Sequence, residues 1–288
     1  MVLRKHLTSI LIAFLLIAGL GILMYPTVSN LVNQGMASKA ITEYNTIYIN
    51  TDEDSLRAII DEADNYNKEL AQNFTGFYDE SAVPGYDEAL NITGTGLMGY
   101  IDIDKINVEL PIYHGVDAGV LQLGAGHIEG SSLPVGGEST HCVLSGHRGL
   151  PSAKLFTDLD KMEIGDTFTI TVMDRVLTYR VDQIKIVLPN ESADLMIEPG
   201  KDYCTLVTCT PYGINTHRLL VRGVRIDSDT SNARRVFVPN EAVKVDTLIV
   251  SPVIAIPLLI AIIIIVIVME RYKNKTLEMR RLEREASR

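Results

Sequence analysis

The chain has 288 residues, a formal net charge of −10 and 47% hydrophobic residues. This acidic balance argues against nucleic acid as a partner, because nucleic-acid-binding proteins present basic surfaces. The 3 cysteines cannot all pair, so at least one thiol stays free. No Cys-x-x-Cys or His-x-x-x-His pair occurs, and we predict neither a metal nor a cofactor.

Two uncharged apolar runs lie near the ends of the chain, at residues 7–24 and 248–269. Each run is long enough for a helix to cross the hydrocarbon core of a bilayer. The first run follows Arg4 and Lys5, a pattern that a cleaved secretory signal shares. We favour an uncleaved anchor, because no small-x-small cleavage site follows Met24 closely.

Basic residues flank both runs and predict the orientation of the chain. The short segment 1–6 and the tail 270–288 are both rich in Lys and Arg. Because basic flanks stay on the cytoplasmic side, both ends are expected inside and residues 25–247 outside. The sequence therefore predicts a two-pass cell-membrane protein with membrane lipid as a partner and its central region on the extracellular face.

A helix is predicted over Thr51–Gln72, where apolar residues recur at spacings of three and four. Thr51 with Asp54 resembles a capping box at its start. Residues 73–97 are rich in Gly, Asn, Asp and Thr and show no sustained period. A loop of this length is commonly functional, so it could cover a site.

From Met98 onward the apolar residues alternate with period two, which is typical of half-buried strands. Short helices are predicted near Ala118–Leu123 and Ala153–Leu159, and a hairpin turn at Asp174–Arg175. Such a series of short strands indicates a closed or sandwiched β fold over residues 98–227, followed by a polar linker, 228–247. The predicted strands are Tyr100–Ile112, His141–Ser145, Thr167–Met173, Val176–Leu188, Tyr203–Thr208 and Arg218–Ile226.

Cys209 lies at the end of a predicted strand, because Pro211 cannot continue a central strand. A partly exposed cysteine near a cation forms the reactive thiolate more readily. Arg218 begins the next predicted strand, and pairing of the two strands would bring guanidinium and sulfur together. The alternative interpretation is that Cys209 is a small buried hydrophobe. Cys204, five residues earlier, would point to the opposite face.

His147 follows another predicted strand, and Gly146 permits a sharp exit there. A histidine at a strand end can act as a general acid or base. A surface-loop histidine is the alternative, and His217 beside Arg218 is the strongest rival. Other arginines, including Arg222, could replace Arg218 as the cation, although each could equally be a solvated charge on a strand.

The segment Thr205-Leu-Val-Thr-Cys209 resembles the TLxTC signature of the sortase family. Segments 124–134, 141–160 and 205–223 are similar to the class C, pilin-polymerising branch, for which a C-terminal membrane anchor is also typical. The resemblance covers about residues 98–227. It implies a mainly β fold: a closed sortase-type β-barrel with short helices, preceded by an N-terminal helical segment in 25–97 and flanked by two transmembrane helices.

The resemblance also implies a cysteine transpeptidase with Cys209 as nucleophile, His147 as general acid and base, and Arg218 stabilising the substrate or oxyanion. Such an enzyme cleaves an LPxTG-like sorting signal through a thioacyl-enzyme and transfers it to a lysine of a pilin subunit. A sortase that anchors surface proteins to peptidoglycan is the alternative and uses the same three residues. The residues expected to contact the signal are Thr208, Leu195, Met196 and Ile197.

Class C sortases often carry a lid with an Asp-Pro-aromatic motif, but this sequence contains no Asp-Pro pair. A lid formed by residues 73–97 would therefore use other side chains. The candidates are Phe74, Phe77, Tyr78 and Tyr86. A surface adhesin or pilus subunit is the remaining interpretation, and it is disfavoured because no LPxTG signal precedes Leu248.

Overall fold

The computed structural model describes residues 2–73 and 83–226 continuously, and only parts of 259–287. The chain divides into two compact units, one made of residues 1–28 and 240–288 and the other of residues 29–239. Several sequence predictions lie outside the described residues. These are the linker 228–247, most of the apolar run 248–269, and the lid candidates Phe74, Phe77 and Tyr78.

The first helix, α1, spans Val2–Asn50 and contains the first apolar run. Among the described residues, one helical stretch, Phe14–Asn50, is long and apolar enough to cross a membrane, by length and composition. The predicted span 7–24 overlaps this stretch from Phe14 to Met24. The second predicted span, 248–269, stays a prediction.

One face of α1 packs on the β domain through Ala37, Ile41 and Tyr44, which are 5%, 3% and 1% exposed. Their spacing of four and three places them on one side of the helix. The Tyr44 hydroxyl donates to the Met98 carbonyl at 2.9 Å and accepts the Met173 N–H at 3.0 Å. Burial raises the pKa of Tyr44 above its usual range, so the hydroxyl keeps the proton that it donates.

Replacing Tyr44 by Phe is expected to lower the free energy of unfolding by about 1–3 kcal/mol, because two buried backbone groups lose their partner. Urea unfolding of the two proteins measures the difference. Tyr212→Phe is the control, since Tyr212 is 60% exposed, and it should change stability by less than about 0.5 kcal/mol. Equal stability of both variants would contradict a structural role for this hydroxyl.

The second helix, α2, spans Glu53–Gln72, close to the predicted helix. The predicted capping box of Thr51 with Asp54 is wrong. Asp52 is the N-cap, and its carboxylate accepts the Ser55 N–H at 2.9 Å and the Ser55 hydroxyl at 2.7 Å, whereas the Thr51 hydroxyl bonds back into α1. The residues that α2 buries are Ile60, Ala63, Tyr66, Asn67 and Leu70.

Eight strands close into a barrel, which is the fold class that the resemblance implied, although the sequence predicted only six strands. The order around the barrel is β1-β2-β3-β4-β7-β8-β6-β5, and β5 returns to pair with β1. A short helix, α3, spans Ala118–Leu123 as predicted. The strands are β1 (Leu97–Ile103), β2 (Val108–His114), β3 (Ala125–His127), β4 (Thr140–Ser145), β5 (Thr167–Val172), β6 (Arg175–Val187), β7 (Asp202–Thr210) and β8 (His217–Ile226).

Local turns account for the places where the predicted elements differ from the structure. The predicted strand Tyr100–Ile112 is two antiparallel strands, because a 3₁₀ turn at Asp104–Ile106 and Asn107, with φ of 52°, reverse the chain. The short helix predicted near Ala153–Leu159 is only a run of turns that leads into a 3₁₀ helix at Leu159–Lys161. The β5–β6 hairpin turns one residue earlier than predicted, at Met173, whose φ is 53°.

Strand β7 lies at the centre of the site-bearing sheet and is buried on both faces. Cys204 and Leu206 join the main core inside the barrel. Val207, on the opposite face, belongs to a second apolar cluster that the β6–β7 loop covers through Leu195. Because strand residues alternate in direction, Cys209 shares the outer face of Val207.

Candidate active site

Strands β4, β7 and β8 lie side by side and bring three predicted site residues to one level. β7 pairs antiparallel with β8, and Cys209 is directly opposite Arg218. β4 pairs parallel with β7 up to Ser145 opposite Val207, and the Gly146 N–H extends this ladder by donating to the Val207 carbonyl at 3.0 Å. If this register is continued by two residues, His147 lies at the level of Cys209 along the strands. All three side chains are half-buried.

The exit of the chain toward His147 depends on Gly146. A Cβ at Gly146 would lie 2.5 Å from the ring of Phe156, which is fully buried. The Thr208 hydroxyl donates to the Gly146 carbonyl at 2.7 Å. Thr208 is 1% exposed and points away from the face of Cys209. This hydroxyl holds the strand end that precedes His147, and the predicted contact of Thr208 with a sorting signal stays a prediction.

Arg218 keeps its guanidinium at the β7–β8 end of the barrel. Its Nη1 donates to the carbonyls of Asn215 at 3.3 Å and His217 at 3.1 Å. A guanidinium has five N–H donors, so these bonds from one nitrogen leave donors for a substrate. Arg222, the rival cation, instead donates to both carboxylate oxygens of Asp182, at 3.1 and 2.9 Å. The geometry therefore favours Arg218 as the cation at the sulfur.

The rival histidines have other surroundings. His141 is 1% exposed, and its two ring nitrogens lie 2.9 Å from the Met196 carbonyl and 2.7 Å from the Thr205 hydroxyl. Burial lowers the pKa of His141, so its ring stays neutral in the wall of the barrel. His217 neighbours Arg218 on β8, and adjacent strand residues point to opposite faces. His147 is therefore the histidine that this geometry assigns to the outer face beside Cys209.

The other two thiols are closed off from solvent. Cys142 and Cys204 are in register across β4 and β7 and are 2% and 0% exposed. Burial raises the pKa of Cys142, but hydrogen bonds with Cys204 and His127 outweigh burial and lower this pKa. Burial also raises the pKa of Cys204 well above its ordinary value. Neither sulfur can meet a substrate in the folded barrel, whereas Cys209 is half-buried at its rim.

An apolar floor leads along the outer face toward Cys209. Val143, Val207 and Leu220 form it, and Leu195 of the β6–β7 loop packs onto them. Leu195 of that loop thus lies over β4 and β7 and is 9% exposed, whereas Ile197 packs against the main core. The loop also lines a small cavity beside the C-terminal end of α2. The loop residues in that lining are Leu195, Met196 and Ile197.

Tyr86, the described lid candidate, is a core residue. It is 5% exposed, and its hydroxyl lies 3.0 Å from both Nδ1 and the backbone oxygen of His127. The same hydroxyl accepts the Gly115 N–H at 3.0 Å. Burial raises the pKa of Tyr86 above its usual range. These contacts hold Tyr86 against β2 and β3 and correct the expectation that it covers Cys209.

Arg148 joins the loops around the site, a role that the sequence did not signal. Arg148 forms an ion pair with Asp160, and its Nη1 donates to the Thr210 hydroxyl at 3.3 Å. Its guanidinium also lies 5.9 Å from the ring centroid of Tyr212. Arg148 therefore ties the segment after β4 to the segment after β7. No local pattern signals the pairing with Asp160, because it depends on how the loop folds back.

A family model described as the Sortase domain matches residues 101–226. Sortase D of Bacillus subtilis is 33% identical over 131 residues, and the match spans 44% of this chain and 63% of that relative. The chain thus covers less than two-thirds of that relative's length.

Solved structures are similar to about two thirds of this chain. Sortase C1 of Streptococcus agalactiae is 50% identical with a TM-score of 0.62, and the match covers 66% of this chain and 100% of that one. A structure of Clostridium perfringens sortase C with the C-terminal cell wall sorting motif is 42% identical with a TM-score of 0.59, covering 67% of this chain and 100% of that one. The barrel, the arrangement of the site and these matches together identify the chain as a member of the sortase family.

Proposed function

We propose that the protein is a class C sortase, a membrane-bound cysteine transpeptidase that joins pilin subunits covalently. The observation that carries the proposal is the alignment of His147, Cys209 and Arg218 across β4, β7 and β8. The similarity to solved class C sortases supports the same activity. A nucleophile, a proton carrier and a cationic donor at one level are the groups that acyl transfer requires.

In the first half-reaction, the Cys209 thiolate attacks the Thr carbonyl carbon of an LPxTG-like sorting signal. The C=O electron pair moves onto oxygen, and Arg218 donates hydrogen bonds to this oxyanion. The intermediate collapses with cleavage of the Thr–Gly C–N bond, and His147 gives its proton to the departing glycine amine. The product is a thioester between the signal's Thr and Cys209.

In the second half-reaction, a pilin lysine amine attacks the thioester carbonyl. His147, now neutral, takes a proton from the amine, and the Cys209 thiolate leaves with the C–S electron pair. An isopeptide bond results and the enzyme returns to its starting state. The chain's net charge of −10 favours approach of a cationic lysine-bearing partner.

The apolar floor beside Cys209 supports a subsite for the Leu-Pro end of the signal. Val143, Val207 and Leu220 lie under Leu195 on the same face as the thiol. An extended peptide anchored by its Thr at Cys209 would run along this face, where apolar side chains of the signal lose contact with water. Met196 and Ile197 of the same loop complete this proposed subsite.

The proposed location is the cell membrane, with the barrel on the extracellular face. The helical stretch Phe14–Asn50 supports the first anchor, and the basic segment 270–288 supports a cytoplasmic C-terminus. Membrane lipid would surround both predicted anchors, and the pilin partners would meet the barrel outside the cell.

The proposal is tested by offering the full chain, in lipid nanodiscs, an LPxTG peptide with two competing amines. One amine is a lysine-containing pilin peptide, and the other is a peptidoglycan stem peptide. Mass spectrometry is expected to find a thioacyl adduct on Cys209 and then an isopeptide product on the pilin lysine. Transfer only to the stem peptide would instead favour the peptidoglycan-anchoring sortase, and absence of any adduct would refute a transpeptidase.

A further inference from the structure

Helix α1 contacts the loop that follows His147 through two asparagines. The Asn30 side-chain carbonyl accepts the Lys154 N–H at 2.9 Å, and the Asn33 amide donates to the Ser152 carbonyl at 2.6 Å. The two asparagines are three residues apart and therefore share one face of the helix. Because both partners are backbone groups of fixed polarity, the orientation of each amide is determined.

The contacted segment continues directly from His147. The Phe156 N–H donates to the His147 carbonyl at 3.1 Å and closes the base of a loop over residues 147–156. Within this loop the Lys154 ammonium donates to the Ile106 carbonyl at 2.8 Å. The loop is thus held at its base by the barrel, and α1 holds its outer part at Ser152 and Lys154.

The docking of α1 on the barrel does not depend on the asparagines. Ala37, Ile41 and Tyr44 are buried on the same side of the helix, farther along the chain. Tyr44 also bonds two backbone groups of the barrel. Loss of an asparagine contact is therefore expected to free the loop while the helix stays in place.

We propose that Asn30 and Asn33 are positioning residues for His147. Through them, the part of α1 that follows the first apolar run holds the proton carrier beside Cys209. The proposal rests on the transpeptidase function proposed above. Neither asparagine touches the reacting atoms, and both act by immobilising backbone. A general acid displaced by about 1 Å can lose a large part of its rate effect, because proton transfer requires a short, aligned contact.

The same substitution at three positions of α1 separates a positioning role from a general effect of charge. Asn33→Asp removes the donor and sets a carboxylate against the Ser152 carbonyl. Asn30→Asp keeps an acceptor for the Lys154 N–H, while Asn30→Ala removes it. Asn50→Asp is the external control, since the Asn50 side chain is exposed and bonds only one turn back, to the Thr46 carbonyl at 2.7 Å.

Two readouts on the full chain in nanodiscs distinguish positioning from folding. The first is peptide cleavage, where Asn33→Asp is expected to lower kcat about tenfold with KM within about twofold. The second is the rate of Cys209 alkylation by iodoacetamide at pH 7. This rate should differ from that of wild type, because displacement of His147 changes the surroundings of the neighbouring thiol. Cys142 and Cys204 are buried, so the folded protein reports Cys209.

We expect kcat to be highest for wild type and Asn50→Asp and intermediate for Asn30→Asp. Asn30→Ala and Asn33→Asp should have the lowest kcat. The thermal midpoint of unfolding should be the same for all of them. The proposal is overturned if Asn33→Asp matches Asn50→Asp in both kcat and alkylation rate. If the wild-type chain cleaves no sorting peptide, the proposed function fails. The alkylation rates alone then decide whether the asparagines position His147.

Discussion

Cys209→Ala is expected to abolish turnover, with less than about one part in ten thousand of the wild-type rate remaining. The thioacyl intermediate cannot form without the sulfur, and no other thiol of the chain reaches the outer face. Cys209 is half-buried at the end of β7, so removal of its sulfur opens no large cavity. The barrel should unfold within a few degrees of the wild-type temperature. Intact-mass detection of the acyl adduct and quantification of the isopeptide product measure the effect.

Cys204→Ala provides a matched control on the same strand. Cys204 is fully buried on the inner face, so its truncation is expected to lower stability by about 1 kcal/mol while turnover continues. Cys209→Ala should therefore lose turnover and keep its stability, whereas Cys204→Ala should keep turnover and lose some stability. Product formation by Cys209→Ala at the wild-type rate would exclude Cys209 as the nucleophile.

Arg218→Lys is expected to slow acylation about a hundredfold. A lysine keeps the positive charge but loses the planar fork of donors, so it cannot hold the oxyanion and the loop carbonyls together. Arg218 is directly opposite Cys209, which places the changed group at the reacting centre. Single-turnover formation of the thioacyl adduct, measured by quench flow, isolates this step from lysine attack.

Arg222→Lys is the control for Arg218, because both arginines lie on one face of β8. The Arg222 guanidinium is held by Asp182 and lies 4.1 Å from the ring centroid of Tyr203. Its replacement should lower stability and leave acylation within about twofold of wild type. If instead Arg218→Lys acylates normally and Arg222→Lys does not, the cationic role belongs to Arg222.

Local patterns in the sequence predicted the parts of the site that depend on neighbouring strands. Cys209 and Arg218 face each other because β7 and β8 form a hairpin, and a hairpin brings residues close in sequence into register. The alternation of side chains along β7 also predicted correctly that Cys204 and Cys209 point to opposite faces of the strand. The TLxTC signature around Cys209 then suggested a nucleophile at Cys209 and a cationic donor at Arg218, which the alternation of side chains alone does not indicate.

Long-range pairing was not predictable from these patterns. His147 lies at the level of Cys209 because β4 is parallel to β7, and a parallel pair requires a long connection whose partner no local pattern reveals. Strand β3 was missed because Ala125–His127 is too short to display a period. Contacts of Asn30 and Asn33 with the His147 loop depend on where α1 docks, and this follows from packing rather than spacing. Residue type alone also suggested Tyr86 for a lid, a role that its burial contradicts.

Labelling of the two buried thiols, Cys142 and Cys204, reports the conformation of the barrel without an added probe. A folded molecule offers one sulfur to a reagent, whereas an unfolded molecule offers all 3 of its cysteines. Because Cys142 and Cys204 lie opposite each other in the central strands, their slow labelling reports opening of the barrel's most protected region. In a single sample, the number of fast-labelled thiols therefore measures the fraction of molecules with an accessible Cys209, and the rate of the slow labelling measures how often the barrel opens.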